Sequence, residues 1–260
     1  MELTKRQQQL KDTYVKARGY WKAWTEGLLQ INPDFMETYA RYGGYPAPNG
    51  PLSELMCEFI YIAVDSSATH LFDSGLRMHM NMALERGATP QQIMEILQLG
   101  VAQGLDGTTL GINILVEELQ AAGHRIPEFE TPLNEKQLQL KARYEEHFHD
   151  WPLFCERMVR LDPGHFEVTI EMLTSRAPGS GLDEKTRTLI MLALNACFTE
   201  LNPDAVRLQI RRSLRLGATR AEIMQVLQMV AHVGIHSCSI GVLSLVSAME
   251  TNNIPLGKPA

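Results

Sequence analysis

The sequence matches itself when shifted by 130 residues, half of its 260-residue length. Self-similarity at a fixed spacing constrains a fold more than any local pattern does. Leu52-Ser53-Glu54 falls on Leu182-Asp183-Glu184, Gly87-Ala88-Thr89 on Gly217-Ala218-Thr219, Ile93-Met94 on Ile223-Met224, and Leu97-Gln98 on Leu227-Gln228. Upstream, Leu10-Lys11, Tyr14, Trp21, Pro33 and Ala47-Pro48 meet Leu140-Lys141, Tyr144, Trp151, Pro163 and Ala177-Pro178 without a gap. The chain reads as two modules of equal length, residues 1–130 and 131–260, joined near Pro127–Pro132. After duplication, positions that were once equivalent can diverge, leaving one working site and one structural site. Differences between the copies are therefore informative.

Each module reads as helices. Leu182, Leu189, Ile190, Leu192, Ala193 and Ala196 fit one buried helical face. In Gly87-Ala88-Thr89-Pro90-Gln91-Gln92 a helix stops and another starts. Gly87 suits the left-handed position after a helix, Thr89 caps the next one, Pro90 fits its first turn, and Gln92 completes a capping box. Gly217, Thr219 and Glu222 repeat the device. Nothing alternates with period two over a useful length, so the fold class is all-α, with about six helices per module.

Composition excludes several function classes. With 45% apolar and 21% charged residues the chain is an ordinary globular one. A formal charge of −6 without a Lys/Arg cluster gives no support to nucleic-acid or anionic-membrane binding. The polar start, Met1-Glu2-Leu3-Thr4-Lys5-Arg6, lacks the apolar core of a signal peptide. The longest apolar run, Val226–Met249, is interrupted by His232, Gly234, His236 and Ser237, which suits a buried helix pair better than a membrane span. A cytoplasmic location is the default expectation. Cys57, Cys155, Cys197 and Cys238 form no CxxC pair and read as reduced, mostly buried thiols.

The run Leu182–Ile190 and its continuation, from Leu214-Arg215-Leu216-Gly217-Ala218-Thr219-Arg220-Ala221-Glu222-Ile223 to Val233-Gly234, resembles the core signature of the carboxymuconolactone decarboxylase family. Ala83-Leu84-Glu85-Arg86-Gly87-Ala88-Thr89, followed by Ile93, repeats it in the first module. The resemblance is strong over the later part of each module and weaker over the N-terminal helices. The family includes γ-carboxymuconolactone decarboxylases of aromatic catabolism and alkylhydroperoxidase D-type thiol peroxidases. The peroxidases use a CxxC pair and a His on one helix, with a relay Glu one helix earlier. The resemblance places that His at His79 and the two Cys at Phe72 and Gly75. If the turn around Thr69–Phe72 is slightly longer than in the family, the relay Glu falls on Glu58. Without a thiolate pair there is neither a nucleophile nor a resolving thiol, so thiol peroxidase chemistry is not expected. In the second module the same positions are Thr188 and Gln209, which do not titrate near neutral pH.

A carboxylate facing an imidazole in an apolar helical pocket can move a proton near pH 7. On that reading His79 is the general acid/base and Glu58 orients or tunes it; the plain alternative is a helix-surface His and a partly exposed salt-bridge Glu. Five further residues are candidates for substrate contact: His70, Asp73, Asp106, Arg187 and His232. His70, Asp73 and His79 could hold a metal only if their loop folded back, because they do not share a helical face, so a solvated turn is the preferred reading and no metal is expected. His232, His236 and Cys238 cluster opposite Ala102, Asp106 and Thr108, either lining the pocket or serving as interface residues. Arg187, which matches a family Arg, either binds a substrate carboxylate or braces its own module, with bracing preferred. Tyr14, Trp21, Trp24, Tyr39, Tyr42 and Tyr45 are core or pocket wall, Tyr42-Gly43-Gly44-Tyr45-Pro46 is a candidate pocket lip, and Met78, Met80 and Met82 are read as core.

The expected architecture is two tandem alkylhydroperoxidase D-like modules about a pseudo-two-fold axis. The resemblance further implies a ring of modules, here a homotrimer of fused pairs. The leading function is a cofactor-independent decarboxylase or other lyase, isomerase or lactone hydrolase acting on a small carboxylic acid or lactone. The alternative is a non-catalytic small-molecule-binding or scaffold protein that has lost the family's thiol chemistry. A third reading, peroxidase action by Cys57 or Cys197 alone, needs an exposed thiol of depressed pKa.

Overall fold

The stop-and-restart device read at Thr89 is built as expected. In the computed structural model, the Thr89 side chain accepts from the Gln92 backbone N–H at 3.1 Å and the Gln92 side chain accepts from the Thr89 N–H at 2.9 Å. Gly87, at φ 90°, takes the left-handed conformation that a Cβ would resist. Thr219 and Glu222 form the matching box. The structure describes residues 3–256; Met1 and Glu2 of the polar N-terminus and residues 257–260 lie outside the described residues.

The first half forms α1 (Lys5–Arg18), α2 (Ala23–Ile31), α3 (Pro33–Gly43), the short α4 (Pro46–Asn49), α5 (Glu54–Ser66), α6 (Asp73–Glu85), α7 (Pro90–Gln103) and α8 (Leu105–Ala121). After a 3-10 turn at Pro127–Phe129, the second half forms α9 (Glu135–Phe148), α10 (Leu153–Leu161), α11 (Pro163–Thr174), α12 (Glu184–Ala196), α13 (Pro203–Arg215) and α14 (Arg220–Val230). A second 3-10 turn, Ala231–Ile235, leads into α15 (His236–Thr251). The protein is all-α, with no strand among the described residues. Helices α1, α2, α3, α5, α6 and α7 each start 130 residues before α9 to α14 in turn. Positive-φ positions recur at the same spacing: Gly19 and His149, Leu71 and Leu201, Gly87 and Gly217, Gly123 and Asn253. The count per half exceeds the expected six, because α4 has no counterpart and the N-terminal third splits into three short helices.

The halves are not side by side but interleaved. One core cluster joins α5, α7, α12 and α14, with Ile60, Ile62, Ile96, Ile190, Leu192 and Val226 fully buried. Burying such a side chain contributes about 1.5–3 kcal/mol, so this shared core ties the halves together. The last helix of each half then leaves its own module. Helix α15 packs on α2, where Val242 joins the cluster around Tyr14, Trp24 and Met36. Helix α8 packs on α10, where Ile112 joins the cluster around Tyr144, Met158 and Phe166. The stretch Arg220–Thr251 is apolar and long enough to cross a membrane. The 3-10 turn interrupts it, and its two parts pack on α5, α12 and α2.

Candidate active site

Helix α5 carries Glu58 and Tyr61 on one side, and α6 crosses it with His79. His79 and Glu58 are both buried. The Nδ1–H of His79 donates to Oε2 of Glu58 at 2.7 Å, and no hydrogen bond engages Nε2 among the described residues. Arg86, on the turn after α6, lies 3.7 Å from the other Glu58 oxygen. The Tyr61 ring stacks on the imidazole at 4.6 Å between centroids, and its hydroxyl bonds His232 Nδ1 at 2.9 Å. His232 comes from the second half of the chain, so both halves build the site.

Burial lowers the His79 pKa, against the pull of the Glu58 hydrogen bond and charge. Burial and then the Arg18 charge push His232 down to about 4. Both imidazoles are therefore neutral at pH 7, and His79 presents Nε2 as a base. Around them Arg18, Lys22, Trp24, Tyr39 and Phe72 close a narrow cavity of ≈ 30 Å³, with room for little more than water. Arg18 lies over the Tyr61 ring at 5.8 Å and donates to the Gly43 carbonyl at 3.0 Å. On the far side of His232 an open groove is walled by Tyr42, Tyr45 and Gln228, so the Tyr42–Pro46 lip borders the site's outer mouth.

The corresponding place in the second half is a different object. Its cavity of ≈ 70 Å³ is lined by Ala102, Phe148, Thr188, Met191 and Gln209. By the 130-residue offset those residues are the equivalents of His232, Arg18, Glu58, Tyr61 and His79, which build the His79 site. The titrating constellation exists in one copy only.

The five candidate contact residues separate. His232 is in the cavity wall. His70 adjoins His236, which also lines the cavity, with Nε2 of His70 and Nδ1 of His236 2.6 Å apart. Asp73 is excluded: its carboxylate faces solvent on the first turn of α6 and pairs with Arg77 at 2.9 Å, one helical turn on. Asp106 belongs to the second half's surroundings, where burial and then Glu200 push its carboxyl up to about 7. Arg187 borders the second cavity, but its guanidinium is taken up by buried Glu95 and by the Leu173 and Ser175 carbonyls, so it braces α12 against α7.

Sequence reasoning missed Tyr61, Arg18 and Lys22. Each is polar where the second copy has Met191, Phe148 and Pro152, and a position-by-position comparison of the copies would have flagged all three. The two family cysteine positions lie against buried Asp65. A Cβ on Gly75 would stand 2.2 Å from Asp65 Oδ2 and 2.5 Å from the Phe72 ring, so the site has no room for a thiol there. Burial, then Glu58 and Glu54, push the Cys57 thiol up to about 11, and Cys197 is buried, which leaves no exposed activated thiol at either position.

The described residues form an interleaved all-helical fold that holds a buried, hydrogen-bonded His79–Glu58 pair between α5 and α6. Residues 33–108, the segment that carries Glu58 and His79, match the carboxymuconolactone decarboxylase family. The whole chain is similar to the crystal structure of a candidate gamma-carboxymuconolactone decarboxylase subunit from Burkholderia xenovorans. The two share 30% identity and a TM-score of 0.88, over 95% of this chain and 98% of that one. No curated protein matches the sequence. The chain belongs to the carboxymuconolactone decarboxylase family.

Proposed function

We propose that the chain is an acid–base enzyme that decarboxylates, isomerises or opens a small carboxylic acid or lactone, with His79 as the proton-moving group and Glu58 as its positioning partner. The observation that carries this reading is the buried 2.7 Å His79–Glu58 contact, which the second copy lacks. Glu58 fixes the tautomer, so Nε2 is the atom that takes a proton from carbon or water and returns it. Arg18 and Lys22 supply positive charge for a substrate carboxylate or a developing enolate. The chemistry of these groups needs no organic cofactor, and a cytoplasmic setting suits it. The boundaries 1–130 and 131–260 describe the duplicated units, and the small carboxylate or lactone is the partner this reading requires.

The test is turnover of a panel of unsaturated carboxylic acids and lactones, followed by ultraviolet absorbance. His79→Gln is expected to lower kcat by roughly 10²–10⁴-fold with the circular dichroism spectrum unchanged. Wild-type turnover that survives His79→Gln would sink the assignment. One observation favours a scaffold role instead: the cavity is too narrow for a ring-sized ligand unless side chains move. Neither turnover nor calorimetric binding across the panel would put that reading ahead.

A further inference from the structure

We propose that Asp65, His70 and His236 form a binding site for one divalent transition-metal ion of the zinc type. Among the described residues they are a set of three potential ligands whose donor atoms lie within 4.8 Å of one another. Asp65 ends α5, His70 sits in the turn before α6, and His236 opens α15 of the other half. The turn is tied down locally. The Phe72 N–H donates to the Asp65 carbonyl at 2.8 Å, the His70 N–H donates to the Ser67 carbonyl at 2.9 Å, and Leu71 between them is held at φ 48°. Phe72 stacks on the His236 ring at 3.7 Å. The donors are therefore presented by a rigid frame.

Hydrogen bonding inside the cluster does not account for its composition. His70 Nε2 and His236 Nδ1 face each other at 2.6 Å, a contact that occupies one N–H and one lone pair. The Asp65 carboxylate, 1% exposed, stands 4.0 Å from one of these nitrogens and 3.8 Å from the other, too far to bond either. Neither of its oxygens has a hydrogen-bond partner. Lys22 acts on it from a distance but donates instead to the Ser74 carbonyl at 3.0 Å. Ionising a buried carboxyl that has no partner is unfavourable, and a cation between it and the imidazoles offsets that penalty. Ligands about 2.0–2.2 Å from a tetrahedral ion stand roughly 3.4 Å apart, and the observed 2.6, 3.8 and 4.0 Å bracket that spacing. Two imidazoles and a carboxylate select a borderline transition ion over magnesium or calcium, which prefer oxygen-only sets.

The duplication supplies an internal comparison. The positions equivalent to Asp65, His70 and His236 are Asn195, Glu200 and Asp106. The fold gathers polar groups there too, since Glu200 acts on the buried Asp106 carboxyl. Only the place beside the His79–Glu58 pair carries imidazoles. Glycine at position 75, which leaves room for the Asp65 carboxylate, has Ala205 as its counterpart.

The experiment titrates the chelator-treated full-length chain with Co²⁺, followed by visible absorption, and with Zn²⁺, followed by calorimetry. Binding of one ion per chain with cobalt ligand-field bands is expected, weakened at least about 100-fold by Asp65→Asn and by His236→Gln. His70→Gln and His236→Gln change half-buried side chains outside the apolar core and give the same loss should the substitution at buried Asp65 unfold the chain. His79→Gln is expected to bind the ion as the wild type does, so failure of the acid–base reading and failure of the metal site are read separately. Absence of cobalt bands and of zinc heat in the wild type overturns the site. Affinity that survives all three ligand substitutions, or Mg²⁺ bound as tightly as Zn²⁺, overturns it as well.

Discussion

At the scale of single residues, the electrostatics of His79 define what Glu58 does. Burial pulls the imidazole pKa below its ordinary value, Arg18 and Lys22 pull the same way, and only Glu58 raises it. Replacing the carboxylate with an amide removes that raising influence while keeping an acceptor for Nδ1–H. Glu58→Gln is therefore expected to move the acidic limb of the kcat/KM profile to lower pH, because protonation of His79 becomes harder, and to lower the plateau as orientation loosens. A pH–rate series on both proteins checks this. A limb that stays in place or moves upward would show that the two groups do not act as a pair. Arg187 illustrates the opposite case, a charged residue facing a cavity that is already satisfied. Buried Glu95 binds it together with Arg176 and Ser180, so its charge is already paired inside the protein.

At the scale of elements, the crossing of α2 and α15 holds the site's two halves together. Gly27 lets them approach: a Cβ there would stand 2.7 Å from Val242 and 3.2 Å from Val246. The equivalent position on α10 is Arg157, which reaches Asn113 and Glu117 of α8 instead of making a close backbone approach. Gly27→Ala gains some helix propensity but must push α15 outward, and a net loss of about 1–2 kcal/mol is expected. Urea unfolding measures it; a variant as stable as the wild type would mean that α15 shifts freely on α2. The elements themselves were legible because their signals are local: Thr89 with Gln92, Thr219 with Glu222, and the 130-residue spacing needed no tertiary knowledge. His79 and Glu58 were legible only through the family resemblance. What stayed hidden depends on how the halves interleave. Tyr61 and His232 are 171 residues apart, and His70 and His236 are 166 apart, so no sequence window brings either pair together. Asp73 misled because proximity to His70 in sequence carries no information about which side of α6 faces the cavity.

At the scale of the whole molecule, α8 and α15 each bury one side on the opposite half and leave an apolar side in solvent. Leu110, Ile114 and Leu115 are exposed on α8, and Ile240, Leu243 and Leu245 on α15. Leu110 and Ile240, like Leu115 and Leu245, are equivalent positions, so both copies keep the same surface apolar. A soluble monomer rarely leaves two such faces uncovered, and a repeated face suits a closed ring of copies. The expected particle is a homotrimer, with a mass by light scattering of three times the 29.2 kDa chain. Leu110→Glu combined with Ile240→Glu places a charge on both faces and is expected to give monomers with unchanged helix content. Because α15 begins at His236, on the wall of the His79 cavity, those monomers should also lose turnover and thermal stability together. A wild-type chain that runs as a monomer at micromolar concentration, or a double variant that keeps the trimer mass, would place the assembly surface elsewhere and uncouple it from the site.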